Sequence, residues 1–451
     1  MKQLFSSFIL PLSSLVWRLH PLCAAGRDTK LRLGSRTVAC LRAQRYNAPG
    51  GFSPLTMLIL EYKLIVSNLQ ATAIGEAIKV VQFIRNKALR LWMDTHAKPY
   101  DLNRYCAVLA REYPFADALN SQARQAASER AAYAISRFLK PDKAGKRLKK
   151  PKFQKNNRSV EYKTTGWKLS PDRKRITFTD GLGIGKMKML GTQDLCAYPL
   201  EKIKRVRIVR RADLFFVQFC VDVDRSEVTE LTGKTVGLDM GLKSFYTDNE
   251  GNSVPCPQFL RKAEKQLKRA QRQLSKKQQG SHNRRKARVQ VSRRHLKVQR
   301  QRKDFATKLA RCVVMSNDIV ALEDLPVKNL VKNRHLSKSI HDAAWSQFAR
   351  WLLYYGKVFG KPVVKVPPQY TSQDCSQCGK RMKKSLSERT HVCSCGCVLD
   401  RDENAARNIL RLALTILAIL SETYPGAPEN GEGSPSETPG ERIPLLPVQA
   451  G

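Results

Sequence analysis

A chain of 451 residues with 81 Lys+Arg against 38 Asp+Glu carries a formal net charge of +43, far more than solubility requires, and a field of that sign attracts polyanions. No run of eighteen or more apolar residues occurs, which excludes a membrane-spanning helix and argues against a membrane partner. Of the 12 cysteines, Cys106, Cys196, Cys220, Cys256 and Cys312 are scattered without a disulfide framework, as suits a reduced cytosol.

In chain order, Lys2, the apolar stretch Leu4 to Val16 and Cys23-Ala-Ala-Gly have the outline of a secretory leader. Leu60 to Val66 reads as a strand, and Ala77 to His96 has helical spacing through Ile78, Val81, Ile84, Ala88, Leu91 and Trp92. A second helical stretch covers about Asp101 to Leu139. The basic run Lys146 to Lys155 contains Phe153, which could stack on a base or anchor into the core. From Lys149 to Asp224 the character turns to strands: Val160 to Thr164, Arg175 to Thr179, Val206 to Arg210 and Leu214 to Val223, with Ser170-Pro-Asp-Arg and Arg211-Ala-Asp as turns. The pattern predicts a small β-barrel interrupted by a helical insertion.

Between Phe259 and Ala310 stand nineteen Lys/Arg and only two acids, Glu264 and Asp304. Apolar residues recur there at Leu260, Ala263, Leu267, Ala270 and Leu274, a helix with one buried seam and a basic outer face. Gly280-Ser281-His282-Asn283 breaks it, and a second basic helix returns through Val291, Val298, Phe305 and Leu309. A solvated coiled coil would show both charge signs, so this hairpin predicts phosphate contact along a nucleic-acid duplex, which gives affinity without reading sequence.

Three carboxylates close short apolar runs: Asp239 in Thr-Val-Gly-Leu-Asp, Glu323 in Ile-Val-Ala-Leu-Glu and Asp402 in Leu-Asp-Arg-Asp. The first two runs have the composition of buried strands, so each acid stands where its strand leaves the core. Mg2+ takes oxygen ligands, and phosphodiester nucleases gather carboxylates around two ions roughly 3.5–4 Å apart. Singly, each acid could be an ordinary solvated strand end. Just before the third acid, Cys375-x-x-Cys378-Gly precedes Cys393-x-Cys395-Gly-Cys397, the spacing of a four-sulfur zinc ribbon. Cys393 with Cys395 completes the set best, because Gly396 then follows the last ligand as Gly379 follows Cys378; Cys393 with Cys397 is the alternative. Beyond Thr423 the chain is rich in Pro, Gly, Glu and Ser, a composition that predicts a disordered tail.

Four motifs in order, Gly-Leu-Asp239-Met-Gly-Leu-Lys, Val-Ala-Leu-Glu323-Asp-Leu, Tyr370-Thr-Ser-Gln-Asp-Cys-Ser-Gln-Cys-Gly and Leu399-Asp-Arg-Asp402-Glu-Asn-Ala-Ala-Arg-Asn-Ile, resemble the TnpB (OrfB) family of transposon-encoded proteins, relatives of the type V CRISPR effector nucleases. The resemblance runs from about Met57 to Leu420. It implies an RNA-guided DNA endonuclease of α/β plus β class. A β-barrel wedge domain, 57–230, would be interrupted by a helical recognition insertion at about 77–140. An RNase H-like (RuvC-like) nuclease part would follow over 231–370, with its basic hairpin at 259–310. The zinc ribbon at 371–398, the last nuclease motif and helix at 399–420 and a tail at 421–451 would complete the chain.

In that family the matching acids hold metal, which implies Asp239, Glu323 and Asp402 as catalytic ligands of two Mg2+ ions, with Asp400 a loop acid. Zn2+ would sit structurally on Cys375, Cys378, Cys393 and Cys395. The implied partners are a guide RNA and double-stranded target DNA, met in the cytoplasm at the nucleoid. Residues 1–56 precede the resemblance, and an upstream start taken in place of Met57 explains them better than a leader, since secretion would carry a thiolate site into an oxidising compartment. Two other functions share these features: a catalytically silent RNA-guided DNA-binding protein, and a transposase acting directly in DNA strand transfer.

Overall fold

The computed structural model of the protein describes residues 57–140, 149–212, 214–385 and 388–423. The leader-like stretch 1–56, positions 146–148 of the basic run and the tail after 423 lie outside the described residues.

Seven strands form the first sheet: β1 (Met57–Ile65), β2 (Ser159–Tyr162), β3 (Trp167–Leu169), β4 (Arg175–Phe178), β5 (Gly185–Leu190), β6 (Ile203–Arg211) and β7 (Leu214–Asp222). All pairs are antiparallel, in the order β2-β6-β7-β1-β5-β4-β3. In this order β2 and β3 are the two edges of the sheet, with no backbone pairing between them among the described residues, and the helices expected as an insertion leave the sheet between β1 and β2. The segment between β2 and β3 turns at Gly166 (φ +90°), where an added Cβ would meet Tyr162 at 2.9 Å, and the edges approach through side chains instead. The Tyr162 ring lies 4.8 Å from that of Phe178, and the Tyr162 hydroxyl donates to Asp180 (2.6 Å).

Between β1 and β2 come α1 (Asn68–Thr95), α2 (Pro99–Glu112), a single turn at Pro114–Asp117 and α3 (Ser121–Leu139). Helix α1 begins nine residues before the expected Ala77 because Ser67 and Gln70 form a capping box: Gln70 N–H donates to Ser67 Oγ (3.2 Å) and Ser67 N–H to Gln70 Oε1 (3.0 Å). The expected single helix 101–139 is broken where Pro114 starts a new turn and Asn120 caps α3 through Gln122 N–H (3.0 Å). One apolar core joins these helices to the sheet through Leu60, Ile78, Ile84, Ile176 and Phe219.

The second sheet contains β8 (Thr235–Asp239), β9 (Ser244–Asp248), β10 (Ser253–Pro255), β11 (Ile319–Glu323) and β12 (Val363–Val366), ordered β10-β9-β8-β11-β12. Strands β8, β11 and β12 run parallel, and β9 returns antiparallel to β8. Every residue of β11 is buried, as a strand covered on both faces requires. Val320 and Leu322 enter one core beneath α5 (His282–Ser316) and α7 (Trp345–Val358), with Val314, Phe348 and Leu352. Ile319 and Ala321 face the other way, onto Ile409, Ala413 and Leu417 of α8 (Arg401–Thr423).

Helix α4 (Phe259–Ser275) and α5 form the basic hairpin, broken as expected at Gly280 and capped by Ser281 Oγ, which accepts Arg284 N–H (3.1 Å). Its base is fixed by buried Asp342 in α6 (Ser337–Ala343), which accepts Leu260 N–H (2.8 Å) and Arg302 Nη2 (2.9 Å). Behind β11, Lys361 and Asp318 form a buried ion pair (3.3 Å), and Asp318 also accepts the N–H groups of Thr232 (3.0 Å) and Gly233 (2.7 Å). Among the described residues, no helix is long and apolar enough to cross a membrane.

Candidate active site

Asp239 and Glu323 end neighbouring parallel strands, one step past the paired Leu238 and Leu322, so the sheet register delivers both acids to the same edge. Carboxyl ends of parallel strands are where open α/β sheets build their sites. Asp402 arrives from elsewhere, in the first turn of α8, which crosses β8. The crossing is close because Gly237 has no side chain: a Cβ there would meet the Ala406 carbonyl oxygen at 2.2 Å and Leu410 Cβ at 2.9 Å. Ala406 lies one helical turn beyond Asp402, so this contact sets how near Asp402 comes to the strand ends.

Electrostatics ties the three acids together. Burial pushes the Asp239 carboxyl well above its ordinary range, and the charges of Glu323 and Asp402 push the same way, while Arg401 opposes them. Glu323 is buried and its carboxyl is raised by that burial, partly offset by a hydrogen bond that Thr371 Oγ1 donates to Oε1 (2.5 Å). Asp402 faces Arg401 Nε at 3.5 Å and Arg389 Nη1 at 3.8 Å, and its own N–H donates to Asp400 Oδ1 (2.8 Å). Asp400 thus caps the start of α8. Asp239 is within Coulombic reach of both Glu323 and Asp402, yet the oxygens of the three acids do not all lie inside 4.8 Å. Like charges in a partly desolvated pocket separate unless a cation draws them in, and an oxygen-rich, anionic donor set of this kind fits a hard divalent ion.

The sulfurs of Cys375, Cys378, Cys393 and Cys395 all lie within 4.8 Å of one another, with Cys375···Cys395 at 3.7 Å and Cys378···Cys393 at 3.6 Å. These are the four favoured by spacing. Cys397 instead groups with Cys375 and buried His391. Burial would raise the Cys375 thiol, but the N–H groups of Cys378 and Gln377, with His391 and Cys395, hold it down at about 5, the behaviour of a thiolate ready for a soft cation. The ribbon's hairpin, β13 (Thr390–Val392) with β14 (Val398–Asp400), runs directly into α8.

Further residues bind ribbon and acids into one unit. Asn404 Nδ2 donates to the Asp374 carbonyl (2.9 Å), and its Oδ1 accepts Ser376 N–H (2.9 Å). Asn408 Nδ2 donates to the carbonyls of Thr371 (2.9 Å) and Asp374 (2.6 Å). Thr371 in turn holds Glu323. Sequence reasoning missed Gly237, Thr371, Asn404 and Asn408 as parts of this site. Two asparagines one turn apart among Ala405, Ala406 and Ile409, and a lone glycine inside a strand, were the available signals.

A family model described as "Probable transposase" matches residues 218–334, and one described as a Cas12f1-like TNB domain matches residues 345–409. A Streptomyces pristinaespiralis protein named "Putative RNA-guided DNA endonuclease" is 31% identical over 376 residues, covering 79% of this chain and 90% of its own. An Escherichia coli (strain K12) protein, "Putative RNA-guided DNA endonuclease InsQ", is 28% identical over 301 residues, 63% of this chain and 73% of its own. Among solved structures, a chain from "Cryo-EM structure of the Cas12f1-sgRNA-target DNA complex" aligns with a TM-score of 0.46 at 13% identity, covering 75% of this chain and 82% of that one.

Proposed function

This chain belongs to the TnpB (OrfB) family of transposon-encoded proteins, and we propose that it is an RNA-guided DNA endonuclease that hydrolyses phosphodiesters at Asp239, Glu323 and Asp402. The observation that carries the reading is the meeting of two strand-end acids with a third from α8: burial disfavours the charge on Asp239 and on Glu323, and Asp239 also feels the charges of Glu323 and Asp402. A binder gains nothing from such an arrangement; a nuclease needs it.

The order β10-β9-β8-β11-β12, three parallel strands with an antiparallel hairpin beside them, supports an RNase H-like (RuvC-like) domain over 231–370 and 399–420. The first sheet with its helical insertion, 57–230, serves as the wedge and recognition part, and the basic hairpin neutralises phosphates of a guide–target duplex. Divalent cations such as Mg2+, when bound, supply an activated water and charge stabilisation for in-line attack. Asp239, which feels the charges of both other acids, would hold those cations together with Glu323 and Asp402; Glu323 is oriented by Thr371, and Asp402 by Arg401 and by the cap at Asp400. Cys375, Cys378, Cys393 and Cys395 would hold a zinc ion that fixes the ribbon, whose second strand runs straight into the start of α8.

The test is purification of the chain with its bound RNA, sequencing of that RNA, and DNA cleavage assayed with it and Mg2+. Guided cutting that disappears in Asp239→Ala supports the proposal. Cutting by Asp239→Ala at the wild-type rate would remove it. Guided binding without cutting by the wild-type chain would leave a silent binder, and joined transposon ends made by this protein alone would indicate strand transfer.

A further inference from the structure

A groove on the helical insertion is not used by the candidate active site. Along α1, Lys79, Gln82, Phe83, Asn86, Lys87 and Arg90 recur at three- and four-residue spacing and line an open cavity of about 360 Å³. It is a shallow depression open to solvent rather than an enclosed pocket.

One side is aromatic. The Phe83 ring meets Tyr113 and Phe115 edge-on, with centroids 5.0 and 5.1 Å away, and Phe115 is 47% exposed. Lys87 Nζ stands 5.6 Å from the Phe83 ring and 5.4 Å from that of Tyr113. The other side is a basic strand of chain pinned by Asn86, whose Nδ2 donates to the Gln154 carbonyl (2.9 Å) and whose Oδ1 accepts Gln154 N–H (2.8 Å). Arg85 Nη1 adds a bond to the Lys152 carbonyl (3.3 Å). This clamp sets exposed Lys150, Lys152, Phe153 and Lys155 beside the groove. Lys79 and Arg90 are paired with Glu76 (2.7 Å) and Asp94 (2.9 Å), so the cationic surplus comes from Lys87 and the clamped lysines.

An aromatic shelf of mutually tilted rings, with the Phe115 face half-exposed and cations on both sides, matches a nucleobase and the phosphate attached to it. We propose that this groove holds an unpaired nucleotide, its base on the Phe83–Tyr113–Phe115 shelf and its phosphate between Lys87 and the lysines of 150–155. An acidic peptide would use the lysines but leave the shelf bare. The proposal rests on the chain being a nucleic-acid-guided protein, and it adds a contact remote from the cutting chemistry. Whether the nucleotide belongs to RNA or DNA is decided by running both.

The experiment uses the full chain in chelator, with short single-stranded RNA and DNA of one sequence carrying a photoreactive iodouridine, and maps crosslinked peptides by mass spectrometry. Crosslinks at Phe83, Tyr113, Phe115 or Phe153 are expected in one arm and should persist in Asp239→Ala. Affinity in that arm should fall about 5- to 150-fold in Phe115→Ala and recover in Phe115→Trp. Crosslinks confined to other regions, or unchanged affinity in Phe115→Ala, would overturn the proposal while guided cleavage stands. Displacement of the crosslink by polyglutamate but not by unlabelled oligonucleotide would overturn it in favour of an acidic protein partner. Binding of neither strand would overturn this proposal and the guided-nuclease reading together.

Discussion

Replacing Gly237 by alanine tests whether the contact between β8 and α8 places the third acid. Gly237 has no positive φ, so the backbone accepts alanine and only the new methyl matters. That methyl would begin 2.2 Å from the Ala406 carbonyl oxygen, a backbone atom that cannot swing aside. Restoring ordinary contact requires α8 to retreat by about 1 Å, against a core packed as densely as a crystal. Overpacking of this kind costs about 1–3 kcal/mol, and a displacement of that size in a reacting geometry costs about a hundredfold in rate. Gly237→Ala should therefore melt a few degrees lower and cut guided DNA about a hundredfold more slowly, while holding zinc and guide RNA normally. Single-turnover cleavage, thermal melting and metal analysis on one preparation check all three. A variant that melts and cuts like wild type would show that Asp402 is not positioned by this crossing.

Asp239→Asn should raise the melting temperature in chelator at neutral pH even as it abolishes cleavage. The folded-state pKa of Asp239 lies above its unfolded value, so its ionisation costs nothing below the unfolded pKa and its full penalty above the folded one. The gain should vanish as pH falls into the ordinary carboxylate range, and a melt series across pH reads it; an Asn variant less stable throughout would contradict the pocket's electrostatics. Cys395→Ser should lose the ribbon's zinc and with it cleavage, whereas Cys397→Ser should keep both; the reverse outcome would move the site to the Cys375, His391 and Cys397 group. Lys361→Met should destabilise the protein by about 3–5 kcal/mol by leaving buried Asp318 without its counter-charge, measured by denaturant unfolding, and a neutral result would mean the N–H groups of Thr232 and Gly233 alone suffice to hold that carboxylate.

The parts of this molecule that were readable in sequence are those whose signal is local. Thr235–Asp239 and Ile319–Glu323 announce themselves because a short β-branched run ending in an acid has few other uses, and the thiol spacing of the ribbon limits its geometry. The break at Gly280 was equally visible. Helix α1 was read short because Ile78 onward carries the apolar stripe while its first turns depend on Ser67 and Gln70, a capping signature rather than a periodicity. Strands β3 and β5 were overlooked, the first for its brevity and the second because Gly183 and Gly185 mask the Lys/Met alternation that follows. Whether the first sheet closes depends on how far apart β2 and β3 finish, which no window of sequence contains. The links through Thr371, Asn404 and Asn408 were hidden for the same reason: each joins segments that meet only after the ribbon and α8 have docked.

Helix α8 is the last described element, and it covers Ile319, Ala321, Val364 and Val366 on one face of the second sheet. A ribosome making this chain therefore releases the basic hairpin and two of the three acids well before the segment that completes the trio. A polypeptide halted anywhere upstream of Arg401 would bear cationic surfaces and a bare apolar sheet face and would lack the third acid of the proposed site, so premature termination leaves a sticky fragment with an incomplete carboxylate set.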